Sequence, residues 1–283
     1  MAARTSPTER QKRLGAELRR MRTAADVSAE FAAGLLGMDR GKISNIESGA
    51  RPISPDRLRT LACNCECTDD KYIDALIEMA QPRSRGWWEK YRGTLPQGLL
   101  DIAELEAHSL RMRAAYSMHI PGLLQTTDHA LALFRVVIPQ LPEREIALRL
   151  AHRVERQEVL DGEAPPPYTG IVHEAALRMQ FGGRDVARAQ LHHLLKKSEQ
   201  SNVTLLVIPF EAGAFPGAGQ TVFYAEGIVP QLDTVQIDSS HGPVFVYSDA
   251  QLAKYRAHLD WMAGIALPPS ESRDFIHTMA RQL

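Results

Sequence analysis

The stretch that most narrows what this chain can fold into runs from Ala29 to Gly49, AEFAAGLLGMDRGKISNIESG. Its small and apolar positions suit two helices that cross steeply through a short turn. Ala33 lets the helices approach closely, and Gly37, four residues on, supplies the backbone freedom the turn needs. Ile43 and Ile46 bury the second helix against Leu36 and a preceding helix, and Gly49 terminates it. Each element is common alone; their joint spacing between capped helices is not. Ser6-Pro7-Thr8-Glu9 reads as a capping box with proline at the first helical position. The helix it opens carries Leu14, Leu18, Met21 and Ala25 at three- and four-residue spacing, with Arg10, Lys12, Arg13, Arg19, Arg20 and Arg22 on solvated faces. Ser28, Asp39, Ser54-Pro55-Asp56 and Thr68-Asp69-Asp70 open four more. Residues 1–80 therefore predict a compact, all-α helix-turn-helix bundle.

With Ile43 and Ile46 assigned to the core, the N-terminal half of the second motif helix offers Arg40, Gly41, Lys42, Ser44 and Asn45 to its surroundings. These are groups that read a major groove. Arginine can fork onto guanine and asparagine onto adenine, while Gly41 allows close backbone approach. The expected base contacts are Arg40, Gly41, Ser44 and Asn45; the expected phosphate contacts are Lys42, Arg51 and helix-one arginines such as Arg19. The bland alternative is a helical bundle used for protein contacts. Charge leans towards DNA: residues 1–67 hold 12 Lys+Arg against 8 Asp+Glu, although the whole chain has a formal net charge of −1.

The chain has 283 residues and 44% hydrophobic composition, enough for two domains with sizeable cores. Its longest apolar runs, such as Val203–Phe210, fall far short of the roughly 18 residues a membrane span requires. The N-terminal MAARTSPTERQKR lacks a signal-like apolar run, and three cysteines make no disulfide framework, so a cytoplasmic protein is expected. Residues 81–100, beginning with Gln81-Pro82-Arg83-Ser84-Arg85-Gly86, read as a linker. Residues 101–283 mix helical patterns at 127–137, 143–160, 185–200 and 249–265 with strand-like runs at 168–172, 203–208, 221–225, 234–237 and 244–247. This is an α+β domain. Ala164–Pro167 reads as an extended turn and Gly213–Gly219 as a loop.

That second domain carries no phosphate loop, no G-x-S-x-G elbow and no H-E-x-x-H, so no catalytic residues, cofactor or metal are expected. His192-His193 are adjacent on a helix and point to different faces; His173-Glu174 lies at a strand-to-helix junction. Met112, Met118, Phe134 and Phe223 read as packing residues. Cys63, Cys65 and Cys67 form C-x-C-x-C without a fourth metal ligand nearby and read as inert thiols, with a redox-sensitive site as the alternative.

Residues 10–66, ending in KISNIESGARPIS, resemble the xenobiotic-response-element family of helix-turn-helix domains, which implies a lambda-repressor-like bundle. That family usually places glutamine at the start of the first motif helix, where it touches phosphate. This chain has Ala29 there, which shifts the expected contact to Ser28. The second domain resembles that of actinobacterial WhiJ-like regulators, also described as antitoxin-like. The resemblance is carried by Leu105-Glu106-Ala107, IPGLLQT (120–126), RVERQEVL (153–160), HEAAL (173–177), QLHHLL from Gln190 and NVTLLVIPFEAG (202–213). His173 stands where the family more often has Asp. The resemblance implies a cytoplasmic, nucleoid-associated transcription factor whose second domain binds a small partner protein encoded nearby or a small-molecule effector. High specificity on DNA further predicts a homodimer on a palindromic operator, with the helices around 252–267 and 275–279 as dimer contacts. Sequestration of a partner, with DNA binding for autoregulation, is the alternative main function.

Overall fold

The structure is a computed structural model that describes residues 6–81 and 86–283. It divides into two compact units, 1–89 and 90–283. Residues 82–85 of the expected linker lie outside the described residues. The remainder of 81–100 holds a 3-10 turn at Trp87–Tyr91 and the start of a helix at Gln97.

The first unit is all α, with α1 (Glu9–Ala24), α2 (Ala29–Leu35), α3 (Arg40–Glu47), α4 (Pro55–Asn64) and α5 (Asp70–Ala80). Every helix has a side-chain N-cap: Thr8, Ser28, Asp39, Ser54 and Asp69 each accept from the backbone N–H three residues on. The expected start at Ser6 is corrected to Thr8. Two boxes offset by two residues, S-P-T-E and T-E-R-Q, are both written in the sequence. The second one closes: Thr8 Oγ1 accepts from Gln11 N at 3.3 Å while Gln11 Oε1 accepts from Thr8 N at 3.0 Å.

Four successive helices end alike, with one residue turned into the left-handed region: Asp26 (φ 55°), Gly37 (φ 61°), Gly49 (φ 76°) and Glu66 (φ 52°). At Gly37 the motif is complete. Gly37 N donates to Gly34 O at 3.2 Å and Met38 N to Ala33 O at 2.9 Å, which satisfies carbonyls the helix leaves open. The same pair of bonds recurs at Asp26 and Glu66, where a side chain tolerates a conformation glycine adopts freely. Because Glu66 adopts it at a cost, Glu66→Gly is expected to stabilise the first unit by about 0.5–1 kcal/mol, read as a raised urea midpoint.

The second unit is α+β, built on one six-stranded mixed sheet in the order β3-β2-β1-β4-β5-β6. The strands are β1 (Arg111–Tyr116), β2 (Tyr168–His173), β3 (Val203–Ile208), β4 (Val222–Glu226), β5 (Thr234–Ser239) and β6 (Gly242–Val246). β1, β2 and β3 are parallel neighbours; β4, β5 and β6 run antiparallel. Its helices are α6 (Gln97–Ala107), α7 (Thr127–Arg135), α8 (Glu143–Gln157), α9 (Glu174–Arg178), α10 (Arg184–Lys197), α11 (Asp249–Ile265) and α12 (Pro269–Gln282). Met112, Ala114, Tyr168, Leu205 and Phe223 on one face meet Leu191 and Leu194 of α10 and Ile276 and Met279 of α12. Ala115, Ile171, Val222, Tyr224 and Val235 on the other meet Leu252, Leu259 and Met262 of α11. β1, β2, β3 and β4 each present both kinds of residue in alternation, so this part of the sheet is buried on both sides, while β5 and β6 pack only on the α11 side.

The five expected strands are present, 203–208 with the expected ends and the others with ends shifted by at most two residues. The central strand β1 was not expected at all. The helix predicted over 143–160 stops at Gln157 and tightens into a 3-10 turn at Glu158–Leu160.

Two histidines lie in this core. His129 and His152 are each 1% exposed, and burial pushes them down to about 4 and about 3. An unfolded histidine binds its proton near pH 6.5, so the unfolded state gains protons the folded state refuses. Stability is therefore full above pH 6.5 and falls as the pH drops towards 4. Unfolding of the second unit in urea at pH 5 is expected to be easier than at pH 7.5 by about 1–2 kcal/mol per histidine, and His129→Leu should flatten that slope.

Candidate nucleic-acid interface

The position of α3 is set by how closely α1 can approach it. A Cβ on Gly15 would come within 2.5 Å of Glu47 O and 2.6 Å of Ile46 O, and one on Gly49 within 2.7 Å of Gln11 C. Backbone thus lies on backbone at two points, one at the end of α3 and one just beyond it. Beside this contact Arg22 turns inward. Its Nε donates to Glu47 Oε1 at 2.6 Å, its Nη2 to Glu47 Oε2 at 3.1 Å, and its Nη1 to Val27 O at 2.6 Å. The two side chains are 10% and 11% exposed. The bidentate pair joins α1 to the last turn of α3 and to the chain entering α2. Its carboxylate holds the guanidinium above its ordinary value.

A second set ties α1 to α5. Glu17 pairs with Arg13 Nε at 2.8 Å and Arg20 Nη2 at 2.7 Å and accepts from the Tyr72 hydroxyl of α5 at 2.5 Å. Burial pushes the Tyr72 hydroxyl up. Arg13 and Arg22 are thereby corrected from solvated face to buried pair. For Arg22, spacing alone cannot separate a charge that faces water from one that faces a carboxylate brought in from another helix; Arg13 pairs with Glu17 one turn on in α1 itself.

With the rear of α3 fixed by the buried Ile43 and Ile46, its outer face carries Arg40, Gly41, Ser44 and Asn45, all exposed. Of the motif-core residues, Ala33 is buried and Gly37 adopts the positive φ the turn needs. Asp39 caps α3 through Lys42 N at 2.8 Å and pairs with Lys42 Nζ at 2.9 Å. Those contacts hold its carboxyl below the usual carboxylate range. Lys42 is thus turned back onto the cap, and a phosphate would have to draw it away from Asp39. Gly41 has a local task as well: a Cβ there would sit 3.2 Å from Asp39 Oδ1. Arg19 and Arg51 are exposed. Ser28 Oγ accepts from Phe31 N at 3.0 Å, which leaves its hydroxyl hydrogen to donate to a phosphate oxygen.

The remaining sequence candidates take structural places. Cys65 caps α4, and burial pushes its thiol up; Cys63 is exposed and Cys67 intermediate. His192 is exposed and His193 half-buried, on different faces of α10. Met112, Phe134 and Phe223 are buried, whereas Met118 is exposed. His173, in the position where the resemblance gives Asp, does what an Asp would do: its Nδ1 accepts from Ala175 N at 3.2 Å at the start of α9.

Residues 13–71 match a family model described as a helix-turn-helix domain, and residues 99–278 match one described as Domain of unknown function (DUF5753). The second match spans more than half of the chain. The chain belongs to the DUF5753 family. No curated protein and no solved structure matches it. The helix-turn-helix match makes the first unit a DNA-binding domain and the chain a regulator, while the DUF5753 match attaches no function to the second. No helix among the described residues is long and apolar enough to cross a membrane.

Removing one partner of the Arg22–Glu47 pair strands a buried charge. Arg22→Met and Glu47→Gln are each expected to cost about 3 kcal/mol, with the double variant less damaging than their sum, measured as a double-mutant cycle in urea. Gly15→Ala should cost about 1–3 kcal/mol by forcing α3 off α1.

Proposed function

We propose that this DUF5753 protein is a sequence-specific, homodimeric transcriptional regulator that reads a palindromic DNA operator through α3. The observation that carries this reading is the outer face of α3: two side chains suited to bidentate base contact, Arg40 and Asn45, stand exposed on a helix anchored from behind by Ile43, Ile46 and the Arg22–Glu47 pair. Arg40, Gly41, Ser44 and Asn45 meet base edges. Ser28, Lys42, Arg51 and Arg19 meet phosphates. Dimerisation follows from size, because one eight-residue reading helix spans few base pairs and two on one face of the duplex multiply their specificity.

The resemblance to WhiJ-like regulators supports control through the second unit by a small partner protein or a ligand. Partner sequestration, the antitoxin-like reading, is favoured by Val136, Val137 and Ile138, three successive apolar residues exposed between α7 and α8; Ile138 is 94% exposed. Co-purification of a small neighbouring gene product, with a shift in DNA affinity on its addition, tests that arm.

For the operator recovered by genome-wide mapping of bound sites, Arg40→Ala and Asn45→Ala are expected to cost about 1–3 kcal/mol on cognate DNA and to relax base preference. Arg51→Ala should weaken cognate and random DNA alike and reduce the salt slope by about one. Equal losses on both DNAs for all three variants would remove base readout by α3.

A further inference from the structure

The last helix of the second unit, α12, turns Ser272, Ile276, Met279 and Ala280 inward. The flank beside these residues, together with α9 and Leu267, walls a cavity of about 330 Å³. That volume lies at the small end of the roughly 300–1,000 Å³ in which proteins hold small molecules. Leu267, Phe275 and Met279 give the cavity an apolar lining, and Arg178, Glu271 and Asp274 stand around it. Met279 is buried, Leu267 and Phe275 are half-buried, and both carboxylates are exposed.

Both walls are fixed by bonds that leave the cavity free. Leu267 N donates to Val207 O of β3 at 2.8 Å, and Val207 N donates to Ser272 Oγ at 2.9 Å. The Ser272 hydroxyl donates in turn to Leu267 O at 2.8 Å. The outer edge of β3 is thereby joined to the chain entering α12. On the opposite wall Arg178 Nε donates to Glu174 Oε1 at 2.6 Å, and Glu174 Oε2 accepts from Phe210 N at 2.9 Å. Walls set in advance spare a ligand the cost of ordering them.

The charges around the cavity do not balance. Arg178 is neutralised by Glu174, whose side chain is 5% exposed. Arg273, which lies between Glu271 and Asp274 in the sequence of α12, turns to Glu199 at 3.3 Å. Glu271 and Asp274 have no ion-pair partner among the described residues. A carboxylate in the first turn suits the positive end of a helix, which accounts for Glu271. Asp274 stands beyond that turn and lacks this explanation. Three residues apart, the two carboxylates share one side of α12 and one rim of the cavity.

We propose that this cavity binds a small organic cation, a primary amine carrying an apolar body about the size of one aromatic ring. The ammonium donates to Glu271 and Asp274, and the body lies on Leu267, Phe275 and Met279, whose unbranched thioether adapts to different shapes. An anion of the same shape meets two unpaired carboxylates and is repelled, while a neutral analogue gains only the apolar contact. The volume fits a free small molecule better than an amphipathic helix, which needs a long groove. Amine binding stands on the second unit alone; a role for it in releasing or enforcing DNA contact rests on the regulator reading above.

The test uses the full chain, labelled at its methionine methyl groups and followed by NMR at pH 7, with Met279→Leu assigning the signal. Three probes of one shape are added at equal ionic strength: 2-phenylethylammonium chloride, 2-phenylethanol and sodium 3-phenylpropanoate. A saturable shift of the Met279 methyl is expected with the ammonium, about tenfold weaker binding with the alcohol, and no saturation with the carboxylate. Glu271→Gln with Asp274→Asn should reduce the ammonium to the affinity of the alcohol. Glu143→Gln, which removes an exposed carboxylate from α8, should leave the response unchanged. An unaltered spectrum without probe shows that the double variant keeps its fold. No saturation by the ammonium would overturn the proposal, as would equal binding of ammonium and alcohol, or an ammonium response that survives the double variant undiminished. Because no DNA is present, failure here leaves the α3 reading untouched, and failure of base readout leaves this site untouched.

Discussion

The buried bidentate pair between Arg22 and Glu47 is the constraint on which the rest of the first unit depends. It couples the last turns of α1 and α3 in a place where two backbones already touch, at Gly15 and beside Gly49. Close backbone packing supplies proximity but little direction, since glycine surfaces slide. A planar guanidinium locked to a carboxylate supplies direction. Burying two charges is a weak source of net stability, because desolvation offsets most of their attraction; its better attested effect is to select one arrangement over its neighbours. For a helix proposed to meet base edges with its outer face, that selection matters more than the stability it adds.

Much of this was legible in the sequence because it is local. Caps act over three residues, so Ser28, Asp39, Ser54 and Asp69 could be named from the order of residue types, and the positive φ at Gly37 and Gly49 follows from glycine following an apolar run. Ile43 and Ile46 follow from helical period. What was not legible depends on residues brought from elsewhere. Arg22 looks like the other cations on the same helix until Glu47 of α3 is placed beside it. Gly15 owes its place to the carbonyls of Ile46 and Glu47, which would lie 2.6 and 2.5 Å from any Cβ set there.

The central strand β1 was hidden for the same reason. R-M-R-A-A-Y has two arginines and two alanines, poor strand formers that offer no run of branched residues. Its strand character comes from its neighbours, with β2 on one side and β4 on the other satisfying its backbone. Arg113 is accommodated by leaning on Asp260 of α11 at 2.7 Å. The peripheral strand β3, by contrast, is V-T-L-L-V-I and announced itself. Propensity is most visible where the sheet helps least, and the strand at the centre can afford residues that would not form a strand alone.

The second unit shows where resemblance and chemistry part. The six segments on which the expected likeness to WhiJ-like regulators rests lie within the DUF5753 domain, and the family description attaches no function to them. In the structure four of them close on one another: Glu106 with Arg156, Gln157 with the backbone at 122 and 125, and Gln190 with Leu124. Two more pair at the end of the sheet, where Glu174 Oε2 accepts from Phe210 N at 2.9 Å and the His173 ring meets that of Phe210 at 5.1 Å. Most of these bonds satisfy polar groups that burial would otherwise leave open, which is what a stable core requires and needs no function to explain. Arg153 belongs to the same set: it donates to Oε1 of the buried Gln125 at 2.5 Å, and Gln125 Nε2 in turn donates to Ile120 O at 2.6 Å, so a methionine in its place would leave a buried acceptor open.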